Sequence, residues 1–204
     1  MSAIESAEAA GRKSATKSPR PGKSIKKIRQ ESLGRLIAAN PMATDQELAK
    51  TLGVSVSTVR LDRALMGVPE LRERVRSMAE RAGSRLRSLN PDEVVGELLE
   101  LEPNRWALSV LRTVREMAFR FTDIVWDHYI YSQASSIAVA VMESAVVIVD
   151  SMRGEYKGHA HVGDTLIARA KVGVNREGRR IVSVHTRVGD KEIFVGRFIV
   201  EVLE

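Results

Sequence analysis

Residues 44–74 have the sequence TDQELAKTLGVSVSTVRLDRALMGVPELRER, and this stretch determines how the N-terminal half is interpreted. Thr44 and Glu47 form a capping box, which predicts that a helix begins here. Gly53 ends that helix, because glycine adopts the left-handed conformation at little cost. Ser55 is well suited to cap the next helix. Two short helices joined at a glycine turn predict a helix-turn-helix unit.

The second of these helices, predicted over residues 55–66, has one face that favours DNA contact. Its apolar residues Val56, Val59 and Ala64 are predicted to pack inward. The polar residues assigned to DNA binding are Ser55, Ser57, Thr58, Arg60 and Arg63. Hydroxyl and guanidinium groups can satisfy phosphate oxygens and base edges. The alternative is an ordinary helical hairpin with a solvated face, which the spacing alone does not exclude.

The charge distribution favours the DNA-binding interpretation. The chain of 204 residues has a formal net charge of +6. Residues 1–89 have a net charge of +9, whereas residues 90–204 have a net charge of −3. A basic half joined to a slightly acidic half predicts that only the first half meets a polyanion. Nucleic acid is favoured over a membrane surface, because the basic half also contains the helix-turn-helix pattern.

Composition argues against several other classes of protein. The sequence contains no cysteine, so neither a disulfide framework nor a thiolate metal site is expected. It has no signal-peptide pattern and no apolar run of about 18 residues, the length that predicts a membrane-spanning helix. It also lacks a P-loop and a dinucleotide-binding fingerprint. We therefore expect a cytoplasmic protein with no membrane partner, no metal site and no resident cofactor.

Turn signals along the chain predict four segments. Residues 1–24 form a basic tail with few apolar residues, which is expected to be disordered. Residues 25–67 form the helix-turn-helix domain. Residues 68–90 form an amphipathic linker helix, and residues 91–204 form the C-terminal domain. The three helices of the second segment are predicted over 25–39, 44–51 and 55–66.

The predicted linker helix has an apolar stripe and a very basic opposite face. The stripe consists of Leu71, Val75, Met78, Ala82 and Leu86. Such a stripe is too apolar to remain in water, so it must be buried on another surface. A partner chain's copy or the next domain can provide that surface, and a membrane surface is a third, less favoured option.

Beyond Pro91 the pattern predicts an α+β domain. The last three apolar runs are separated by tight-turn signals and predict an antiparallel meander. These runs are Thr165–Val174, Arg180–Val188 and Ile193–Val202. The segment Asp127–Met142 is rich in small residues and predicts one long buried helix. An antiparallel sheet around a single long helix is the hot-dog arrangement, and dimerisation can cover its exposed edges.

The stretch TDQELAKTLGVSVSTVRLDRALMGVPELRERV strongly resembles the FapR family, bacterial transcriptional repressors of fatty-acid and phospholipid synthesis. VRLDR followed by GVPELR is specific to that family among helix-turn-helix proteins. The resemblance continues through SQASSIAVAV and the final VGRF, so it covers roughly residues 26–200. It implies an N-terminal DNA-binding domain, a linker helix and a C-terminal hot-dog dimer. It also implies that malonyl-CoA binds the hot-dog domain and that this binding releases the operator. Two-fold symmetry of such a dimer, with one reading helix per chain, predicts a palindromic operator.

The resemblance places four effector-contacting positions, and three of them differ from the family pattern. Phe119 stands where the family has an aromatic residue of the ligand pocket. Trp126 stands where it has the arginine that pairs with the malonyl carboxylate, Asp127 where it has glycine, and Ser135 where it has asparagine. A buried carboxylate without a guanidinium partner costs several kcal/mol. We therefore expect a CoA thioester with a neutral acyl group to bind better than malonyl-CoA.

An acyl-CoA thioesterase with an accessory DNA-binding domain is the competing hypothesis, because hot-dog domains often hydrolyse thioesters. Such an enzyme needs a carboxylate beside the central helix. Asp123, Asp127 and Glu143 lie near the predicted ends of that helix, where acidic residues also serve as caps. His159 and His161 share one face if they lie on a strand, but two histidines without a third ligand are poor evidence for a metal site.

Overall fold

The computed structural model describes residues 21–176 and 179–203, which divide into two compact units. The first lies within Met1–Leu71 and the second within Arg72–Glu204. Residues 1–20 of the expected tail lie outside the described residues. The first helix begins at Pro21, four residues before its predicted start. Proline is favoured in the first turn of a helix, because its missing N–H has no helical partner there.

The first unit contains the three predicted helices, α1 (Pro21–Ala39), α2 (Asp45–Leu52) and α3 (Val56–Leu65). The capping box at the start of α2 is present. Thr44 Oγ1 accepts a hydrogen bond from the Glu47 backbone N–H at 3.2 Å, and Glu47 Oε2 accepts one from the Thr44 N–H at 2.8 Å. The side chains buried between these helices are Leu33, Ile37, Ala43, Leu48, Ala49 and Val59.

A buried ion pair fixes α3 against α1. Asp62 is 1% exposed and accepts hydrogen bonds from Arg29 Nε at 2.5 Å and from Gln30 Nε2 at 3.0 Å. The hydrogen bond from Arg29 lowers the pKa of Asp62 below its ordinary value, although burial opposes the shift. The carboxylate therefore stays charged inside the unit, with both of its oxygens paired.

All but the first residue of α4 (Leu71–Gly83) belong to the second unit, and this helix is shorter than the predicted linker helix. The chain forms tight turns after Gly83, where the sequence predicts a helix to residue 89. Tertiary contacts explain the difference. Leu86 is buried, Arg85 Nη1 donates to the Leu101 carbonyl at 3.0 Å, and Ser88 Oγ donates to the Val139 carbonyl at 3.1 Å.

Six antiparallel strands form one sheet in the order β1-β2-β4-β5-β6-β3. The strands are β1 (Glu97–Glu102), β2 (Trp106–Arg112), β3 (Val146–Tyr156), β4 (Thr165–Arg176), β5 (Arg179–Val188) and β6 (Lys191–Leu203). The predicted meander of β4, β5 and β6 is confirmed. Part of its predicted turn at 175–178 lies outside the described residues. His159 and His161, considered above as a strand pair, lie instead in the loop between β3 and β4.

The long helix α5 (Asp127–Ala140) packs against the inner face of this sheet. The helix is largely buried, as expected of the long buried helix, and its inner face includes Ile130, Ala134, Ile137 and Ala138. Together with the strands, this confirms the α+β class and gives an antiparallel sheet around one long helix. Within residues 21–176 and 179–203, no helix is both long and apolar enough to cross a membrane.

Glycine allows the closest packing on the inner face of the sheet. A Cβ atom on Gly196 would lie 2.7 Å from Phe198 Cε2 and 2.9 Å from Phe194 Cε1, which is closer than real Cβ contacts. Both phenylalanines are fully buried, so neither ring has free space into which to move. The glycine of the VGRF sequence is therefore required by the core.

We predict that Asp62→Asn destabilises the first unit at neutral pH but not in acid. The variant should lose about 1–3 kcal/mol at pH 7, because Arg29 loses its charged acceptor inside the unit. The folded pKa of Asp62 is lowered, so the carboxylate stabilises the unit above its unfolded pKa, about 4. That stabilisation disappears as pH falls through the lowered pKa.

Urea unfolding of both proteins between pH 7 and pH 2 measures this difference. Glu31→Gln is the matched control, because Glu31 is an exposed carboxylate on α1. A difference in unfolding free energy that is absent at pH 7, or that persists unchanged at pH 2, contradicts the assignment.

Candidate nucleic-acid and effector sites

The outer face of α3 differs from the predicted one at two positions. Arg63, predicted to face outward, is 5% exposed, whereas Ala64, predicted to pack inward, is exposed. Helical geometry explains both errors. Arg63 is four residues after the buried Val59 and lies on the same stripe, and Ala64 is four residues after the exposed Arg60.

The side chain of Arg63 connects three parts of the first unit. Its Nε lies 3.2 Å from Asp45 Oδ1, and its Nη2 lies 3.3 Å from Asp45 Oδ2. Its Nη1 donates to the Val68 carbonyl at 3.1 Å. The guanidinium therefore holds α3 against the start of α2 and against the turn that follows α3, and it does not point into solvent.

Hydroxyl groups cluster at the N-terminus of α3. Ser55 is the N-cap, and its Oγ accepts a hydrogen bond from the Thr58 backbone N–H at 3.2 Å. The same oxygen lies 2.8 Å from both Ser57 Oγ and Thr58 Oγ1. Ser57 is exposed and Thr58 is half-buried. Hydroxyl groups beside free backbone N–H groups at a helix N-terminus are suited to an anionic oxygen such as that of a phosphate.

Arg60 and two leucines complete the exposed face of α3. The Arg60 side chain is 68% exposed, and its Nε is 3.4 Å from Asp45 Oδ2. An exposed pair of this kind contributes little to stability, so the guanidinium can exchange Asp45 for another partner. Leu61 is 60% exposed and Leu65 is 58% exposed. Sequence interpretation missed both leucines, although their spacing from Ser57 and Arg60 indicates the same face.

Two of the four predicted effector positions are in direct contact. The rings of Phe119 and Trp126 are stacked, with centroids 5.0 Å apart and planes inclined by 25°. His128 packs edge-on against Trp126, with centroids 5.2 Å apart. Each of Phe119 and Trp126 is 44% exposed. The three residues form an aromatic surface at the start of α5, and sequence interpretation did not include His128 in it.

The loop between β2 and α5 holds this aromatic surface in place. The Phe119 N–H donates to the Ile124 carbonyl, and the Trp126 N–H donates to the Met117 carbonyl, both at 2.9 Å. Arg115 uses its guanidinium inside the loop, where it donates to the carbonyls of Thr122 and Arg120. The aromatic pair is therefore positioned by backbone hydrogen bonds and not only by its own stacking.

Asp127 and Ser135 occupy different parts of α5. Asp127 is exposed in the first turn, and its carbonyl accepts a hydrogen bond from Tyr156 Oη at 3.2 Å. Burial raises the pKa of Tyr156, and the Asp127 charge adds to that shift. Ser135 is half-buried and eight residues further along, about 12 Å at the rise of an α-helix. The structure thus brings Phe119, Trp126 and Asp127 together and sets Ser135 two turns away.

A guanidinium for the effector surface has to come from a residue other than Trp126, and Arg120 and Arg153 are two candidates. The Arg120 guanidinium lies over the ring of Phe121, 5.3 Å from its centroid, and Phe121 is 88% exposed. Arg153 lies on β3, where it pairs in register with Arg197 of β6. Among the contacts of the described residues, none joins either arginine to Trp126.

The polar groups beneath the middle of α5 are amides and hydroxyls. Gln133 is fully buried, and its Nε2 lies 3.2 Å from Ser109 Oγ. Gln133 Oε1 and the buried Thr186 Oγ1 have no hydrogen-bond partner among the described residues. The described carboxylates at the helix, those of Asp127 and Glu143, lie at its two ends. Within the described part of the chain, no three His, Cys, Asp or Glu side chains are grouped as metal ligands.

Comparison with known proteins identifies the family, although no family model matches the sequence. The transcription factor FapR of Thermoanaerobacter sp. (strain X514) is 42% identical over 176 residues, which are 86% of this chain and 88% of that protein. FapR of Bacillus subtilis (strain 168) is 40% identical over 176 residues, 85% of this chain and 94% of that protein. The chain belongs to the FapR family. The resemblance that the sequence motifs indicate is thereby confirmed, and with it membership of a family of transcription factors.

Two solved structures resemble the fold. A sigma28-regulated virulence protein from Campylobacter jejuni has a TM-score of 0.58 at 22% identity, over 63% of this chain and 92% of that protein. An uncharacterized protein from Pyrococcus horikoshii has a TM-score of 0.54 at 23% identity, over 59% of this chain and 92% of that protein. These likenesses support the fold of the FapR-family chain and carry no information about its DNA or effector contacts.

Proposed function

We propose that the chain is a ligand-responsive repressor of fatty-acid and phospholipid biosynthesis genes, acting in the cytoplasm. The observation that carries this proposal is the exposed face of α3, in a chain that matches FapR transcription factors over 176 residues. That face presents Ser57, Arg60 and Leu61 to solvent. The function divides into three parts, which are DNA binding, effector binding and the coupling between them.

DNA binding is assigned to the α2–α3 pair as a helix-turn-helix in which α3 enters the major groove. The hydroxyls of Ser55, Ser57 and Thr58 approach phosphates at the helix N-terminus. Arg60 contacts a base edge or a phosphate, and Leu61 offers an apolar surface to a thymine methyl group. We assign Arg63 an indirect role, because its contacts with Asp45 and Val68 support the orientation of α3.

The effector is proposed to be a CoA thioester that contacts the Phe119–Trp126 pair. The family resemblance implies malonyl-CoA, but this surface offers two aromatic rings and the nearby carboxylate of Asp127. A neutral acyl chain can gain about 0.8 kcal/mol for each methylene buried there. A malonyl carboxylate gains no charged partner from Trp126 and is repelled by Asp127. We therefore assign a neutral acyl-CoA in preference to malonyl-CoA.

Coupling is proposed to run through the segment between α4 and β1. Ser88 Oγ donates to the Val139 carbonyl near the end of α5, and Arg85 Nη1 donates to the Leu101 carbonyl of β1. Effector binding at the start of α5 can therefore alter how residues 68–90 are held. A ligand that binds one arrangement of this segment better than another shifts the population between them.

We assign the chain no enzymatic activity, in line with the family to which it belongs. A thioesterase requires an acid or nucleophile beside the bound thioester. Gln133 and Ser109 occupy the middle of the α5 interface, where the amide provides neither group and no contact among the described residues pairs the Ser109 hydroxyl with an activating base. Asp123 pairs with His161 at 3.1 Å, but both side chains are exposed in loops. Measuring acyl-CoA hydrolysis alongside operator binding tests this assignment.

The operator is predicted to be a palindromic duplex bound by a homodimer. One reading helix per chain and the exposed edges of the sheet favour two-fold symmetry, with half-sites about one helical turn apart. Footprinting combined with sedimentation of the complex measures both properties. A single asymmetric half-site protected by a monomer contradicts the prediction.

Arg60→Ala and Arg63→Ala should weaken operator binding for different reasons. Arg60→Ala should cost about 1–3 kcal/mol in binding and leave thermal stability unchanged. Arg63→Ala should lower the melting temperature of the first unit as well, because it breaks the contacts with Asp45 and Val68. Arg179→Ala is the control, because that exposed arginine pairs with Asp150 on the sheet.

Operator titrations and thermal melts of the three variants separate these effects. Equal losses of operator affinity in Arg60→Ala and Arg179→Ala would show that the DNA surface is misplaced. An unchanged melting temperature in Arg63→Ala would show that its buried contacts are not needed for the fold.

Trp126→Arg is predicted to create or strengthen a malonyl-CoA response. A charge-assisted contact with the malonyl carboxylate is worth about 1.5–3 kcal/mol, roughly tenfold or more in affinity. Trp126→Gln is the matched control, because it removes the ring without adding a charge. Calorimetry with malonyl-CoA and a neutral acyl-CoA measures the preference. Tight binding of malonyl-CoA by the unmodified protein contradicts this account of the effector surface.

A further inference from the structure

A basic groove lies on the outer face of the sheet, opposite α5. It crosses β2, β4 and β5 and has a volume of about 930 Å³. The residues that matter to its chemistry are Arg105, Trp106, Arg169, Lys171, His185 and Arg187. Its volume falls in the range of small-molecule clefts, which is about 300–1,000 Å³. Residues 90–204 therefore have a locally positive surface, although their net charge is negative.

The cations of this groove are not neutralised by any residue that the structure describes. Among the described residues, Arg105, Arg169, Lys171 and Arg187 form no ion pair. Four exposed cations around one recess repel one another and favour an anionic ligand. The same repulsion disfavours packing of this surface against a second copy of itself.

Two acidic residues beside the groove already have cationic partners. Glu192 Oε2 lies 2.6 Å from His185 Nδ1, and its Oε1 lies 2.8 Å from Lys157 Nζ. Lys157 and then His185 lower the pKa of Glu192 to about 2, so its charge is engaged at neutral pH. Glu102, next to Trp106 in the β1–β2 register, lies 3.6 Å from Arg85 Nη1. Glu143 accepts a hydrogen bond from Asn104 of the lining, but the lining itself contains cations and no carboxylate.

The groove also contains an aromatic ring, over which a guanidinium lies, and its cations have a defined spacing. The Arg169 guanidinium lies 5.4 Å from the centroid of the Trp106 ring. Strand register places Lys171 beside Trp106, and places Arg187 beside Ile167. From the row of Lys171 to the row of Arg187 is four residues, about 13 Å at the rise of a strand. An aromatic ring and cations spread over this length suit a base attached to several phosphates.

We propose that this groove binds a phosphorylated nucleotide, with the base at Trp106 and the phosphates at Arg169, Lys171 and Arg187. Base–aromatic stacking tolerates any base, and guanidinium groups bind phosphate oxygens in pairs. The shared chemistry has two sources, the nucleotide half of CoA and a free nucleoside polyphosphate. The groove lies on the strands, whereas the aromatic surface of Phe119 and Trp126 lies at the start of α5. The groove therefore shares no residue with the proposed effector site.

Equilibrium dialysis and calorimetry with the full chain test the proposal. The probes are ATP, GTP, CoA and pantetheine, the last of which lacks the nucleotide. Arg169→Glu and Lys171→Glu should each weaken binding of the nucleotide probes by at least about tenfold. Arg112→Glu is the matched control, because Arg112 is an exposed cation on the same face of β2, outside the groove. Circular dichroism and thermal melts establish that the variants fold.

The probes distinguish the two sources. Binding of ATP and GTP assigns the groove to free nucleotides, whereas binding of CoA with no binding of ATP, GTP or pantetheine assigns it to the nucleotide half of CoA. Either result supports the proposal when the two groove variants lose affinity and Arg112→Glu does not. Absence of binding by every phosphate-bearing probe overturns it, as does an equal loss in Arg112→Glu. Loss of operator affinity in the groove variants without any nucleotide binding also overturns it, and assigns the groove to DNA.

Discussion

Close packing between α5 and the sheet is the constraint on which the second unit depends. The helix presents Ala134 and Ala138 to the strands, and such small side chains let the backbones approach. On the sheet, Gly196 has no side chain, so the rings of Phe194 and Phe198 can lie close to its backbone. A core filled in this way has little free volume, so an enlarged side chain on either face must displace its neighbours. The position of α5 therefore fixes the loop before it and the segments that bond to its end.

The VRLDR sequence combines two tasks in five consecutive residues. Arg60 and Leu61 are exposed, whereas Asp62 and Arg63 are buried in contacts with α1 and α2. A helix places residues that are one apart about 100° from each other, so adjacent charges can belong to opposite faces. Two of the three charges in this motif, those of Asp62 and Arg63, therefore orient α3, and only Arg60 is exposed.

The sequence predicts the position of most helices and strands correctly, but it predicts the burial of individual side chains less well. Caps and turn residues predict the bounds of α2 and α3, and small-residue periodicity predicts the buried face of α5. The outward orientation predicted for Arg63 is wrong, because its spacing of four residues from Val59 places it on the buried stripe. The end of α4 at Gly83 depends on contacts with Leu101 and Val139, which are distant in sequence and carry no local signal.

The surface sites depend even more strongly on distant partners. The stacking of Phe119 on Trp126 follows from a loop whose hydrogen bonds are specific to its fold. The basic groove combines residues from three strands, and Trp106 meets Arg169 only through the β2–β4 register. The net charge of −3 for residues 90–204 gives no indication of a basic groove, because a sum over 115 residues does not show which face each charge occupies.

The two ends of α5 give the proposed repressor a physical route between effector and linker. Trp126 precedes the first residue of the helix, and the Val139 carbonyl at its other end accepts the hydrogen bond from Ser88. A helix of this length in a close-packed core moves as a unit and does not bend gradually. Leu86 adds an apolar anchor beside Ser88, so the segment after α4 is held by both a hydrogen bond and buried surface. A ligand that displaces the start of α5 must therefore either break these contacts or carry the segment with it, and in both cases the linker changes its position relative to the sheet.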